Sequence, residues 1–381
     1  MDWVALFSQF EPRFGVAALV AMAGVAGLMP VVLPLARRYG WCDRPGGRKK
    51  HEAPTPFVGG AVLMAVVSLC FLFFDTTPST RLMAFVSGGL VLVAVGLLDD
   101  RYGLSWQVRL GIQVAITLMI ATVGGIRVEN LSDVFGVDGM WLSTWIAIPF
   151  TVFAMVGVIN AINMADGSDG LAGGQVLASL LLFCAFSLYA GQLLTLSRLL
   201  IVAGGVAGFL VWNLRFPWQR RARVFLGNAG SLFLGFVIAW TAIRVTQNAD
   251  HPVTPVLGPW TLALPLIDCV TLMFARYQAG RSPFAADRNH LHHLLLDAGF
   301  GPMAIAVGLF AASLAIGLAA AMAVKLGVYR PLLVIAFLLS LGAYYRFMRD
   351  RERAVAVFAA WRARALELVP APAGHAGQVR S

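Results

Sequence analysis

The feature that most constrains this chain recurs along it. Apolar runs close to the ~20 residues needed to cross a ~30 Å hydrocarbon core follow one another through almost all of its 381 residues. Only 13% of the residues are charged, against about a quarter in a soluble domain. A bilayer offers no water to satisfy backbone groups, so such runs must be helical. An all-α polytopic membrane protein is expected, with about eleven transmembrane helices near 15–35, 58–74, 82–98, 108–124, 144–159, 171–189, 199–213, 231–246, 261–275, 304–325 and 331–347. One integral membrane domain is read over 1–347, and a basic, partly disordered tail over 348–381. No small-residue cleavage site follows the first short apolar stretch, so no removable leader is read. The segment 125–143 alternates polar and apolar residues, which suggests a small outer β-hairpin.

Basic residues orient the bundle, because cytoplasmic loops collect Lys and Arg. One set of alternate loops plus the tail from 346 holds 22 of the 29 Lys and Arg. The N-terminus is therefore placed outside and the tail inside. The net charge of +10 is read as orientation and attraction to anionic headgroups, with no nucleic acid as partner. Cys42, Cys70, Cys184 and Cys269 show no metal-ligand spacing and read as small buried hydrophobes.

The polar residues gather at the inner ends of the spans. "VGLLDDRYGLSW" (95–106) ends an apolar run in Asp99 and Asp100. Two acids at a helix C-terminus oppose the macrodipole and need a cation. "DRPGGRKKH" (43–51) sets Arg48, Lys49, Lys50 and His51 among Gly and Pro, either as an inside anchor or as a phosphate site. "NAINMADGSDGLAGG" (160–174) puts Asn160 and Asn163 on one helical face and repeats the spacing with Asp166 and Asp169. Four oxygen-bearing side chains there suit a hard cation or a ligand's donors, although Asp169 also reads as an N-cap. "FLGNAGS" (225–231) is a turn whose amides could meet a ligand at a helix N-terminus. His290, His292 and His293 first suggest zinc, but Arg281 and Arg288 flank them, so phosphate recognition is favoured. Asp268 stands inside a span, either functional or the partner of a neighbouring donor. Together these are the components of phosphoryl transfer at a membrane surface.

"LLDDR", "NAINMADGSDGLAGG", "VFLGNAGS" and "NHLHHLLLDAG" stand in an order and spacing that resembles the polyprenyl-phosphate N-acetylhexosamine-1-phosphate transferases. The "HLHH" form resembles the WecA/TagO-like branch more than the MraY branch. The resemblance implies a reaction between a UDP-HexNAc, GlcNAc foremost, and undecaprenyl or another polyprenyl phosphate. UMP is released and lipid-linked glycan synthesis begins. It implies Mg²⁺ as cofactor, with Mn²⁺ as an alternative, and a bacterial inner (plasma) membrane location with the site on the cytoplasmic face. It leaves a homodimer open. Asp99 and Asp100 carry over to the metal and lipid phosphate, and Asn163 to the metal. Asp166, Asp169, Asn213 and Phe225 carry over to the uridine. The histidines with Arg281 and Arg288 match the nucleotide-sugar side, and Arg48, Lys49 and His51 the lipid phosphate. The cation that Asp99 and Asp100 require would be Mg²⁺, with Arg101 and the basic loop as lesser partners. A lipid phosphate is mostly dianionic at neutral pH, so the two aspartates are read as organisers more than as bases.

One position departs from the family. Its "F-x-G-D-x-G-S" carries a metal-binding Asp where this chain has Asn228. An amide oxygen can bind a hard cation but adds no negative charge, so weaker Mg²⁺ binding is expected. An engineered site, a variant leaning on Asp99 or Asp100, and a branch without catalysis are all compatible with that change. The rival readings are a relative that binds its ligands without turnover and a membrane transporter.

Overall fold

The computed structural model describes residues 11–43, 54–75, 77, 79–137, 139–247, 253–285 and 287–367. The basic loop with Arg48, Lys49, Lys50 and His51 lies outside the described residues, as do residues 368–381 of the tail. Helix α1 (Pro12–Arg38) starts on a proline, where the first turn needs no N–H, and ends on Arg37 and Arg38. A two-residue antiparallel pair, β1 (Cys42–Asp43) with β2 (Thr55–Pro56), leads to α2 (Gly59–Phe74), α3 (Thr80–Tyr102) and α4 (Trp106–Thr122). Ser79 and Ser105 cap α3 and α4 by accepting from Leu82 N and Val108 N. Then come α5 (Ser132–Phe135), α6 (Thr144–Ala165), α7 (Leu171–Tyr189), α8 (Leu193–Asn213), α9 (Gly227–Thr246), α10 (Leu257–Thr261) and α11 (Ala263–Gln278). The chain closes with α12 (Leu291–Asp297), α13 (Pro302–Lys325), α14 (Arg330–Met348) and α15 (Arg351–Glu367).

Ten of the eleven expected spans fall on single helices, and the protein is an all-α polytopic membrane protein. Eight helices (α1, α3, α6, α7, α8, α9, α13 and α14) are long and apolar enough to cross a membrane. Helices α2 and α4 are apolar but shorter, at 16 and 17 residues. The expected span 261–275 is broken at Leu262, between α10 and α11.

The centre is α9, buried along nearly its whole length and packed against α2, α3, α6 and α7. Lipid tails are as apolar as leucine, so close backbone approach drives this packing more than burial does. A Cβ on Gly60 of α2 would lie 2.1 Å from the Gly230 N, and one on Gly96 of α3 would lie 2.3 Å from the Ala229 Cα. Gly60→Ala is therefore expected to lower folded yield and melting temperature in detergent far more than Gly111→Ala, whose Cβ would meet nothing within 4 Å. Equal melting curves for the two variants would refute this account of the packing. Prolines add a second device. Pro30 has no N–H for the Ala26 carbonyl, and the Trp212 Nε1 donates to that oxygen instead, at 2.9 Å.

One expectation is corrected. The segment 125–143 is not a β-hairpin. Asn130 and Trp141 form an isolated bridge, with the helical turn α5 between them. Gly136 and Gly139 take positive φ, which ends strand geometry, and the Gln247 side chain accepts from the Glu129 and Asn130 amides. In the tail, 351–367 is helical and packs over α12 through Ala354 and Phe358. Cys70, Cys184 and Cys269 are buried free thiols, and Cys42 is half-buried.

Candidate active site

The two acids that end α3 have separate partners. Asp99 is buried and paired with Arg109 of α4 at 2.7 Å. Asp100 reaches the N-terminus of α9. Its Oδ1 accepts from the Asn228 N and Nδ2, both at 3.0 Å, and its Oδ2 accepts from the Ala229 N at 3.4 Å. An acid unfavourably placed at one helix's C-terminus thus becomes a favourable cap at another's N-terminus. Gly227 permits this approach, with φ +71° and room for no side chain, since a Cβ would stand 2.5 Å from the Asp100 Oδ2. Arg101 is not a partner of either acid. It donates to the Gly40 carbonyl at 2.7 Å and lies over the Trp41 ring.

Asn228 links two motifs. Its Oδ1 accepts from the Asn163 Nδ2 at 2.8 Å, and that Nδ2 also donates to the Ser231 Oγ at 2.8 Å. Asn160, three residues before, turns elsewhere and donates to the Gln113 Oε1 at 2.6 Å, so the shared helical face does not become a shared site. Asp166 closes α6 beside this cluster. Burial, then the Asp100 and Asp169 carboxylates, push its carboxyl up to about 7. Asp169 is not an N-cap. Gly170 holds that position with φ +77°, while Asp169 pairs with Arg215 at 2.7 Å and accepts from the Ala222 N. Asn213 spends both ends inside the protein, accepting from the Gly170 N at 2.7 Å and donating to the Val224 carbonyl at 2.8 Å. Phe225 is half-buried, its backbone tied to Pro56 and Gly59.

Asp268 organises the histidine segment. It takes a bond from the His290 Nδ1 at 2.7 Å, the Leu291 N at 3.0 Å and the Tyr344 hydroxyl at 2.6 Å. Arg276 donates to the His290 Nε2 at 3.2 Å and pairs with Asp287 at 2.8 Å. A guanidinium only donates, so His290 Nε2 is the acceptor and Nδ1 carries the proton. Burial alone would raise the Asp287 carboxyl, but the Arg276 guanidinium and the Asn289 N–H outweigh it and hold it low. With both nitrogens engaged, His290 positions the segment and is not free for proton transfer. His292 and His293 are different: the His292 Nε2 and His293 Nδ1 are buried with no partner among the described residues. The His292 Nε2 faces the Asp166–Gly167 turn so closely that a Cβ on Gly167 would stand 2.2 Å away. Arg288 is held by Asp297 at 3.0 Å, and Arg281 is exposed.

Burial, then the neighbouring His293 and His290, push the His292 ring down to about 3. The unfolded chain binds its proton from about 6.5 downward, the folded one only near 3, so acid favours unfolding across that window. Melting temperature is expected to fall as pH drops from 6.5 to 4, and His292→Asn should make that fall shallower. A parallel profile in the variant would refute it.

The donors at this helix start are of the kind a hard cation takes. Asp100 with the Asn163 and Asn228 amide oxygens is an oxygen-only set, and Mg²⁺ is commonly held by one or two carboxylates plus substrate phosphates. The set fits on those terms. Among the described residues no three Asp, Glu, His or Cys side chains are grouped to hold an ion by themselves. Arg109, Arg215, Arg276, Asp287 and Tyr344 are the members that sequence reasoning missed. In sequence Arg109, Arg215 and Arg276 look like orientation charges, and Tyr344 lies 76 residues from its partner.

Residues 82–246, which hold the aspartate, asparagine and glycine-turn motifs, match the model of glycosyl transferase family 4. The undecaprenyl-phosphate alpha-N-acetylglucosaminyl 1-phosphate transferase of Escherichia coli K12 is 35% identical over 267 residues, 70% of this chain and 72% of that protein. The chain belongs to glycosyl transferase family 4. The proteins of the same description from Yersinia pestis and Haemophilus influenzae are 36% and 34% identical, over 71% and 74% of this chain and 73% and 78% of theirs. For this family member, Asp100, Asn163, Asn228 and His292 come from four separated segments that meet at one end of the bundle.

Proposed function

We propose that this chain transfers HexNAc-1-phosphate, with GlcNAc the first choice, from a UDP-sugar to undecaprenyl or another polyprenyl phosphate. A lipid phosphate oxygen bonds to the sugar-bearing phosphorus, the bond from that phosphorus to the bridging oxygen breaks, and UMP leaves with the bridging oxygen. The observation that carries the reading is the convergence of Asp100, Asn163 and Asn228 on the α9 N-terminus. The likeness to undecaprenyl-phosphate transferases supports it. Asp100, Asn163 and Asn228 would hold Mg²⁺, or Mn²⁺, which would neutralise phosphate charge as UMP departs. The protein's own part is alignment of two polyanions. His292 and His293 offer unpartnered nitrogens to the donor, and His290, Asp268 and Arg276 keep them in place. Asp166 and Phe225 are assigned to the nucleotide side.

An apolar groove of about 770 Å³ runs between α4, α6, α11 and α14, from Phe284 near the histidine segment to Val128 and Val134. It suits an isoprenoid tail. The polar end is assigned to the cytoplasmic face of a bacterial inner membrane by its basic loops, and the product would begin a lipid-linked cell-surface glycan. The transporter reading loses its main support, since Asp268 is bound to His290 and Tyr344. The reading as a binder without turnover keeps one, because Asn228 is bonded to both Asp100 and Asn163.

The deciding experiment is UMP release by purified protein in detergent, given undecaprenyl phosphate, UDP-GlcNAc and Mg²⁺. Release that EDTA stops is expected. UDP-GlcNAc binding without UMP release, with Mg²⁺ or Mn²⁺, would favour the binder.

A further inference from the structure

The apolar groove and the histidine segment meet at one aromatic pair. The inner end of the groove is lined by Leu110 of α4, Asn160 of α6, Met273 of α11 and Phe284. Leu110 follows Arg109, the partner of Asp99, and Asn160 stands one helical turn before Asn163. The groove therefore opens beside the Asp99–Arg109 pair and the Asn163 amide. Among the described lining residues, only Phe284 comes from the 279–290 loop that joins α11 to α12. Its ring stacks on Trp106, the first residue of α4, with centroids 4.8 Å apart and planes at 17°. Trp106 is 38% exposed and is not itself a lining residue, so it backs Phe284 from outside the groove.

One buried guanidinium holds the same loop from behind. Arg276 donates to the Pro283 carbonyl at 2.9 Å, pairs with Asp287 at 2.8 Å and donates to the His290 Nε2 at 3.2 Å. These acceptors bracket Phe284 along the chain. A turn closed by the Ala285 N on the Ser282 carbonyl, at 2.9 Å, keeps it between them. A guanidinium is planar and its five N–H groups have fixed directions. It cannot follow a shift of Pro283 without changing its angle to His290. His290 in turn is the N-cap residue of α12, two positions before His292, whose buried Nε2 has no partner among the described residues. The loop thus carries an aromatic ring on the groove side and the histidines on the other, with a rigid fork between them.

We infer that Trp106 and Phe284 are positioning residues that tie UDP-sugar binding to the lipid. An isoprenoid in the groove pins Phe284 against Trp106, and through Pro283 and Arg276 the histidine segment is ordered before the nucleotide sugar arrives. This rests on the proposed transfer, whose acceptor tail is the groove's occupant, and adds an order of binding to it. A nucleotide sugar that meets an ordered loop loses less freedom on binding, so each ligand strengthens the other, and by the same factor in both directions.

Undecaprenol tests this without turnover, since it carries the tail and lacks the phosphate that would attack. The full chain in phosphatidylcholine nanodiscs, with or without undecaprenol, is titrated with UDP-GlcNAc and Mg²⁺ by calorimetry. Undecaprenol is expected to tighten UDP-GlcNAc binding by about tenfold, within the usual range of such couplings. Trp106→Ala should match the parent to within about twofold in plain nanodiscs, yet gain less than about twofold from undecaprenol. Trp106→Phe keeps a stacking partner and should recover most of the gain. Phe284→Leu keeps apolar bulk without the stack and should also lose the gain, which decides the matter if Trp106→Ala melts far below the parent. No undecaprenol effect in the parent, or one that survives in Trp106→Ala and Phe284→Leu, would overturn the inference and leave the proposed transfer standing. An affinity loss in the variants that is equal with and without undecaprenol would reduce the pair to a structural role and overturn it too. A parent that binds no UDP-GlcNAc in either nanodisc would count against the proposed transfer itself, and against this inference with it.

Discussion

Asp100→Asn is expected to lower UMP release by about a thousandfold, the loss seen when a buried group that stabilises transition-state charge is removed, while the protein still folds. Asp100 takes three bonds from the first residues of α9 and is the carboxylate of the oxygen set that fits a divalent ion. The amide is nearly the same size, so packing survives. Its charge is gone, and its NH₂ group must either face the Asn228 N–H or turn away. Asp99→Asn is the informative companion, because Asp99 is committed to Arg109 and should affect α3–α4 docking before chemistry. Size-exclusion profile and melting temperature separate misfolding from lost chemistry. An Asp100→Asn protein that folds and turns over within about threefold of the parent would remove Asp100 from the mechanism.

Asn228→Asp should act in the opposite direction and expose the metal site directly. In the parent, Nδ2 of the amide donates to Asp100 and its oxygen accepts from Asn163, so the cluster is internally satisfied. A carboxylate at 228 has no Nδ2 to donate and places a second negative charge against Asp100, with Asp166 nearby. Like charges in a poorly solvated pocket destabilise each other unless a cation joins them. Without divalent ions the variant is expected to melt several degrees below the parent. Mg²⁺ should restore or exceed the parental value and have little effect on the parent. Apparent Mg²⁺ affinity and UMP release should rise together, by about tenfold or more. A variant insensitive to Mg²⁺ in both readouts would show that these residues do not hold the ion.

Much of this site is legible in the chain because it depends on residue type. A carboxylate pair ending an apolar run, Asn and Asp at helical spacing and a glycine turn before a span all announce charge or lone pairs that need partners. What did not show were the partners. Arg109 lies ten residues beyond Asp99 and looks like any cation at a loop edge. Arg276 and Tyr344 meet Asp268 and His290 only because α11, the histidine segment and α14 come together. Asn160 and Asn163 look equivalent in sequence, but the helix directs one to α4 and the other to α9. The outer hairpin failed for a related reason, as alternation over a few residues was overridden by Gly136, Gly139 and the Gln247 side chain.

By itself the sequence determined that the chain spans a membrane as helices, because apolar runs of that length leave backbone groups no other way to be satisfied in lipid. It also limited which residues could carry chemistry, since few polar groups are tolerated there. Tertiary structure alone decided which of them act together. Bonds of 2.7–3.0 Å, such as Asp100 to Asn228 and His290 to Asp268, depend on where glycine contacts let helices approach. That distance is a property of two surfaces in contact, and neither segment encodes it alone.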